Sequence, residues 1–150
     1  MGAFEQEGVS MRTMAEEGID KMKNKLKKNA IKLTLDAEND FEAKVLAGIF
    51  PNVIANLIQN ACSHGKATEI HVKVDGDART IMVWANGQGI PSDVLTRIFD
   101  LSYSTASRGK ENAGVGLAFV KMVLDSSAAK VSCHSRVGKD SFTKFVMTFA

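Results

Sequence analysis

Residues 50–64 read FPNVIANLIQNACSH, and this stretch carries two stripes at once. Phe50, Val53, Ile54, Leu57, Ile58 and Ala61 recur at spacings of three and four and form one apolar face of a helix. Asn52, Asn56, Gln59, Asn60 and Ser63 form the opposite, polar face. Pro51 stands where a helix starts, a position that tolerates its missing N–H, so the spacing predicts a strong helix over 52–64. Asparagine is a poor helix former, and a merely solvated face more often carries Lys or Glu. Asn56 and Asn60 lie four apart and are neighbours on one face. Two stacked carboxamides offer neutral oxygens, which suit a Mg²⁺ ion that keeps its waters and shares phosphates. Taken alone, the stripe reads more simply as a solvated polar surface.

On either side the pattern changes. Residues 1–9 read as a loose leader. From Ser10 a helical pattern runs through Met11, Met14, Ala15, Ile19, Met22 and Leu26, and lysines 21, 23, 25, 27 and 28 crowd its end, where they suit the helix dipole. No aromatics interleave those lysines, so they read as a solvated face rather than a nucleic-acid surface. Residues 31–35 and 41–45 read as strands. Ile70 to Val74 and Thr80 to Trp84 alternate around Asp75-Gly76-Asp77, a hairpin signal, and Trp84 and Phe145 read as core. Ser92 to Phe99 reads as a short helix with Ser92 as cap. Residues 101–114 read as a loop, 115–125 as a helix, and 130–135 and 143–149 as closing strands. The mixture predicts an α+β class with one sheet and its helices on one face.

Composition bounds the function. The 150 residues, 45% hydrophobic and 24% charged, suit one domain with a real core and argue against a disordered chain. A net charge of +2 makes neither nucleic acid nor an anionic membrane the default partner. Two cysteines, Cys62 and Cys133, make no disulfide framework or zinc pair, which points to a reducing compartment. No stretch approaches the ~20 apolar residues of a membrane helix, and the first ten residues have no signal-peptide pattern. The histidines 64, 71 and 134 make no metal cluster, and no glycine-flanked serine elbow is present.

Two glycine-containing segments complete the reading. Ala85-Asn86-Gly87-Gln88-Gly89-Ile90 follows a predicted strand, and its two glycines let a ligand approach the backbone. Asn112-Ala113-Gly114-Val115-Gly116-Leu117 opens a helix, where bare N–H groups and the dipole favour phosphate, with Arg108 and Lys110 just before it. Alone, the first is an ordinary turn, and the second reads equally well as a capped helix or a phosphate site.

Their order is the informative feature: asparagines on a helix, a glycine box after a strand, Ile98-Phe99, and a second glycine box at a helix start. In that order the chain resembles the ATP-binding catalytic domain of sensor histidine kinases, in the GHKL superfamily shared with gyrase, MutL-type repair proteins and the ninety-kilodalton heat-shock chaperones. The resemblance runs from about Met11 to Phe149, nearly the whole chain, and implies an ATPase domain over residues 10–150. It implies a two-layer α/β sandwich of the Bergerat type, a mixed sheet with helices on one face, binding ATP and Mg²⁺. By resemblance Asn60 is the Mg²⁺-binding asparagine, and Asn56 is the polar group near the incoming phosphoacceptor histidine, so these two carry the catalytic assignment. Ser63 falls where a phosphate-contacting lysine is common, and His64 where an aromatic lies against adenine. Asn86, Gly87, Gly89 and Ile90 match the first glycine box, Phe99 the aromatic box, and residues 101–113 a short lid carrying Arg108 and Lys110. Gly114, Val115, Gly116 and Leu117 match the triphosphate-wrapping box, and Thr143 a threonine that helps hold adenine.

Three positions depart from the family pattern. Ala85 stands where an aspartate accepts the adenine amino hydrogen bond, Asn112 where a glycine is usual, and Ala106 where a lysine is usual. No phosphoacceptor motif is present. The resemblance therefore implies a catalytic domain of a longer cytoplasmic kinase portion. Its partners would be dimerisation helices carrying the phosphoacceptor and a response regulator, with nucleotide binding weakened by Ala85. The alternatives are a degenerate docking or phosphotransfer scaffold, or a kinase of the anti-sigma type acting on a partner's serine.

Overall fold

The computed structural model describes residues 6–63, 66–100 and 115–150. In chain order the elements are β1 (Gln6–Ser10), α1 (Met11–Lys21), α2 (Lys23–Lys28), β2 (Lys32–Asn39), β3 (Glu42–Leu46) and α3 (Pro51–Ser63). There follow β4 (Glu69–Asp75), β5 (Thr80–Asn86), α4 (Ser92–Leu95), α5 (Val115–Ser126), β6 (Ala129–Arg136) and β7 (Phe142–Phe149). Five strands form one sheet in the order β2-β4-β5-β7-β6. The β2–β4 pair is parallel and the other three are antiparallel, so the sheet is mixed.

Alternation decides which side of the sheet is covered. Ile70, Val72 and Val74 on β4, Ile81, Val83 and Ala85 on β5, and Phe145, Met147 and Phe149 on β7 are all buried. They cluster with Met11, Met14 and Ala15 of α1, the apolar stripe of α3, and Leu117, Val120, Val123 and Leu124 of α5. The result is the expected two-layer sandwich, with one face of the sheet under three helices. α3 lies in the middle of that layer. A Cβ added at Gly18 would lie 2.5 Å from the Ile54 Cβ, so only glycine lets α1 press this closely on α3.

Four expectations need correction. Residues 6–10 are not loose: they form β1, antiparallel to β3 from Gln6↔Leu46 to Ser10↔Glu42. The segment has no alternation of its own, and its strand state comes from pairing with β3. The single helix expected over 11–28 breaks at Met22 (φ −106°, ψ 1°), which keeps Met22 and Leu26 both buried. Ser92 is the first helical residue, because Pro91 occupies the cap position with no side-chain hydrogen bond. Trp84 is half-buried on the uncovered face, its ring 5.3 Å from His71 and stacked 6.5 Å from Phe142. Alternation places it there, because its neighbours Val83 and Ala85 face the helices. Phe145 is core, as expected.

The start of α1 is tied to the β2–β3 turn. Ser10 caps the helix by accepting from the Thr13 N–H at 3.2 Å, and its own hydroxyl donates to Asp40. Burial works to raise the Asp40 pKa. Hydrogen bonds from Ser10 and from the backbone N–H groups of Arg12 and Phe41, with the Arg12 charge, outweigh it and hold the carboxyl below its ordinary value.

Candidate functional site

A cavity of about 200 Å³ opens between α3, the ends of β5 and β7, and the start of α5. Its apolar wall includes Leu57, Ala61, Val83, Ala85, Ile98 and Leu117, and its polar lining comes from Asn60, Asn86, Gln88 and Thr143. This is smaller than the ~300–1,000 Å³ of sites that swallow a drug-sized ligand. It suits one flat ring system, with the rest of the ligand outside.

Backbone and side chains build the ring end together. Gly87 has φ 109°, a conformation that favours glycine. A Cβ at Gly89 would lie 1.9 Å from the carbonyl oxygen of Arg136, so the loop runs directly against the end of β6. Three hydroxyls fasten this loop. Ser141 donates to the Gly87 carbonyl, the Ile90 N–H donates to Ser135 Oγ at 2.7 Å, and Thr143 Oγ1 reaches the Gln88 carbonyl at 3.4 Å. Ser135 and Thr143 also meet each other at 3.0 Å, and Ser135 donates to the Phe142 carbonyl at 2.7 Å. Asn86 serves the scaffold as well as the lining. Its Oδ1 accepts from the N–H groups of Thr68 and Glu69 at 2.8 and 2.9 Å, and its Nδ2 donates to Thr68 Oγ1 at 2.9 Å. Ala85 is buried in this wall. Among the described lining residues no side chain carries a charge.

The polar stripe of α3 leads away from the ring end. Asn60 lines the cavity, and Asn56 does not. The Asn56 Nδ2 donates to the Asn52 carbonyl at 2.8 Å, which leaves its Oδ1 toward α5. A Cβ at Gly116 would lie 2.9 Å from that oxygen, so the first turn of α5 presents bare backbone to the stripe. Ser63, one turn beyond Asn60, accepts hydrogen bonds from the Gln59 amide and, at 3.2 Å, from Lys25 Nζ.

The structure thus brings Asn60, Asn86, Gly89, Ile90, Leu117 and Thr143 to one cavity, with Gly87 and Gly116 beside it. Phe99 lies behind the wall, edge-on to Phe145 at 6.2 Å, and Ile98 takes the lining position. Val115 opens α5. His64, Arg108, Lys110 and Gly114, with the lid, lie outside the described residues. Sequence reasoning missed Ser135 and Ser141, whose signal was only that Ser135 falls on the helix-facing positions of β6, opposite Thr143. It also did not separate Lys25, which reaches Ser63, from its identical neighbours. Neither cysteine lines the cavity, and burial raises the Cys62 thiol pKa and pushes Cys133 up to about 12.

Residues 50–150, which span the α3 stripe, the cavity wall and the bare turn of α5, match the model of the family described as histidine kinase-, DNA gyrase B-, and HSP90-like ATPase. The chain belongs to that family. Among curated relatives of this ATPase family, the autoinducer 1 sensor kinase/phosphatase LuxN of Vibrio harveyi is 30% identical over 123 residues, which is 79% of this chain and 14% of LuxN. The chain therefore spans about one seventh of that relative. The ATP-binding domain of PrrB from Mycobacterium tuberculosis superposes with a TM-score of 0.76 at 16% identity, covering 97% of this chain and 96% of that one. Full-length ShkA, solved with AMPPNP, superposes with a TM-score of 0.72 at 17% identity over 99% of this chain and 33% of its own. The sandwich read from the sequence is the fold of these ATPases.

Proposed function

We propose that this chain is the ATP-binding catalytic domain of a two-component sensor histidine kinase, residues 10–150 forming the domain. In this reading it presents the γ-phosphoryl of ATP to a phosphoacceptor histidine outside the chain. That histidine sits on dimerisation helices of the same cytoplasmic protein, and a response regulator receives the phosphoryl group next. One observation carries the proposal: an apolar, ring-sized cavity is continuous with Asn60, whose helix presents Asn56 to the bare first turn of α5.

The residues present suit a nucleotide. In this reading Leu57, Ala61, Val83 and Leu117 bury the base by area, and Thr143 and Gln88 line its edge. Gly116 lets the Asn56 amide oxygen come close to the backbone of α5, at the helix N-terminus where a phosphate is favoured. No three His, Cys, Asp or Glu side chains cluster among the described residues. A Mg²⁺ at Asn60 would therefore complete its shell with phosphate and water, as Mg²⁺ commonly does. ATP, when bound, supplies the phosphoryl group. The chain's own contribution is to orient it: Asn56 positions the acceptor side, and Arg108 and Lys110 neutralise charge from the lid.

Ala85 lowers the affinity. A hydrogen bond to a charged group contributes about 1.5–3 kcal/mol, on the order of ten- to more than a hundredfold in binding. Calorimetric titration of Mg-ATP, Mg-ADP and GTP into the native chain and an Ala85→Asp variant tests this. The variant should bind ATP and ADP tighter by that factor and prefer ATP over GTP more strongly. Equal affinity in the two would remove Ala85 from the base-reading position. The second reading, a docking scaffold, is favoured by the uncharged cavity wall. It would be selected if neither version binds any of the three nucleotides.

A further inference from the structure

The lysine run of α2 is not uniform. Lys21, Lys23, Lys27 and Lys28 are exposed, whereas Lys25 is half-buried and lies across the last turn of α3. Two observations place its charge. Its Nζ donates to Ser63 Oγ at 3.2 Å, and the same ammonium works against the burial that raises the Cys62 thiol pKa. The backbone supports this placement. Leu26 is buried, its N–H donates to the Met22 carbonyl and its carbonyl accepts from Ile31, each at 2.9 Å.

Lys25 thus brings a cation to a stripe that has none. Asn52, Asn56, Gln59, Asn60 and Ser63 are all neutral, and α3 contains no charged residue. Among the described residues no carboxylate pairs with Lys25. Ser63 and Asn60 are three apart on one helix face, about 5–6 Å between Cβ atoms. A lysine side chain can swing that far by changing rotamers, because its four-carbon stem is flexible and its head is a compact point charge.

We propose that Lys25 is a phosphate-contacting residue of the nucleotide site, reaching from Ser63 to the polyphosphate of a nucleotide that lies along Asn60 and Asn56. The inference rests on the nucleotide reading above. It adds a cation from outside the helix that carries the asparagines, and makes α2 part of the site.

The experiment compares Lys25→Met, Lys25→Arg and Lys27→Met, in both the native and the Ala85→Asp chain. ATP, AMP and adenosine are titrated by calorimetry with Mg²⁺ present, and melting is followed in parallel. Lys25→Met keeps most of the stem and removes the charge. It should weaken ATP about tenfold and leave adenosine within about twofold, because only the polyphosphate meets the ammonium. Lys25→Arg should restore most of the loss, Lys27→Met should change nothing, and melting should stay put. Equal losses for ATP and adenosine, or none for either, would overturn the assignment while leaving the nucleotide site intact. No binding of ATP to either background would overturn the nucleotide reading, and Lys25 with it.

Discussion

The two ends of the cavity are built differently. At the ring end, three hydroxyls and one carboxamide hold backbone in place before any ligand arrives. At the other end, the stripe of α3 has side chains with capacity to spare: Asn60 lines the cavity and Asn56 turns its oxygen toward bare backbone. The ring end spends its polar groups on itself and offers the ligand mostly area. The stripe offers polar atoms and little area. On the proposed nucleotide reading, recognition of a base and recognition of phosphate are therefore separable, and should fail separately.

The largest expected effect is at the stripe. Asn60→Ala should weaken Mg²⁺-dependent ATP binding by about a hundredfold or more, roughly 2.7 kcal/mol, by calorimetry. Melting should barely move, because Asn60 is only half-buried and its side chain makes no hydrogen bond among the described residues. A drop of many degrees would make the side chain structural and merge the two ends. Next comes Gly89→Ala at the ring end. With a Cβ 1.9 Å from the Arg136 carbonyl oxygen, backbone must shift, at a cost of roughly 1–3 kcal/mol in denaturant unfolding. Adenosine and ATP should weaken equally, because in the proposed reading the loop serves the base. Selective loss of ATP would break the comparison.

The smallest effect lies away from both ends. Asp40→Asn should cost roughly 0.5–1 kcal/mol at neutral pH, the scale of a carboxylate at a helix N-terminus. Since the folded-state pKa of Asp40 is lowered, its contribution is complete above the ordinary value of 3.8 and is lost as pH falls through the folded one. The difference between native and variant unfolding curves should therefore shrink below about pH 4. Nucleotide affinity should not change.

The sequence made the stripe end legible and the ring end only partly so. Two periodicities in residues 50–64 identify α3, its buried face and its polar face, because a helix displays both at a fixed spacing. The glycines at 87 and 89 were visible for a similar reason: each has a backbone position that a Cβ would spoil. Ser135 and Ser141 were not, since their role depends on which strand lies opposite, and pairing is non-local. The β1 strand and Trp84 failed in the same way. One is a strand only because β3 is beside it, and the other has a core residue's chemistry on the uncovered face. Lys25 is distinguished from its neighbours by packing alone.

Trp84 is the chain's single tryptophan, and its position makes it a selective optical reporter. Its neighbour Ala85 lines the cavity, whereas the indole is on the other side of β5, between His71 and Phe142. A ligand in the cavity cannot touch the indole, so contact quenching is ruled out by the pleat. Any change in emission on adding nucleotide would record a shift in the sheet itself. Emission during unfolding would likewise follow the uncovered side of β4, β5 and β7, leaving the helical layer to circular dichroism.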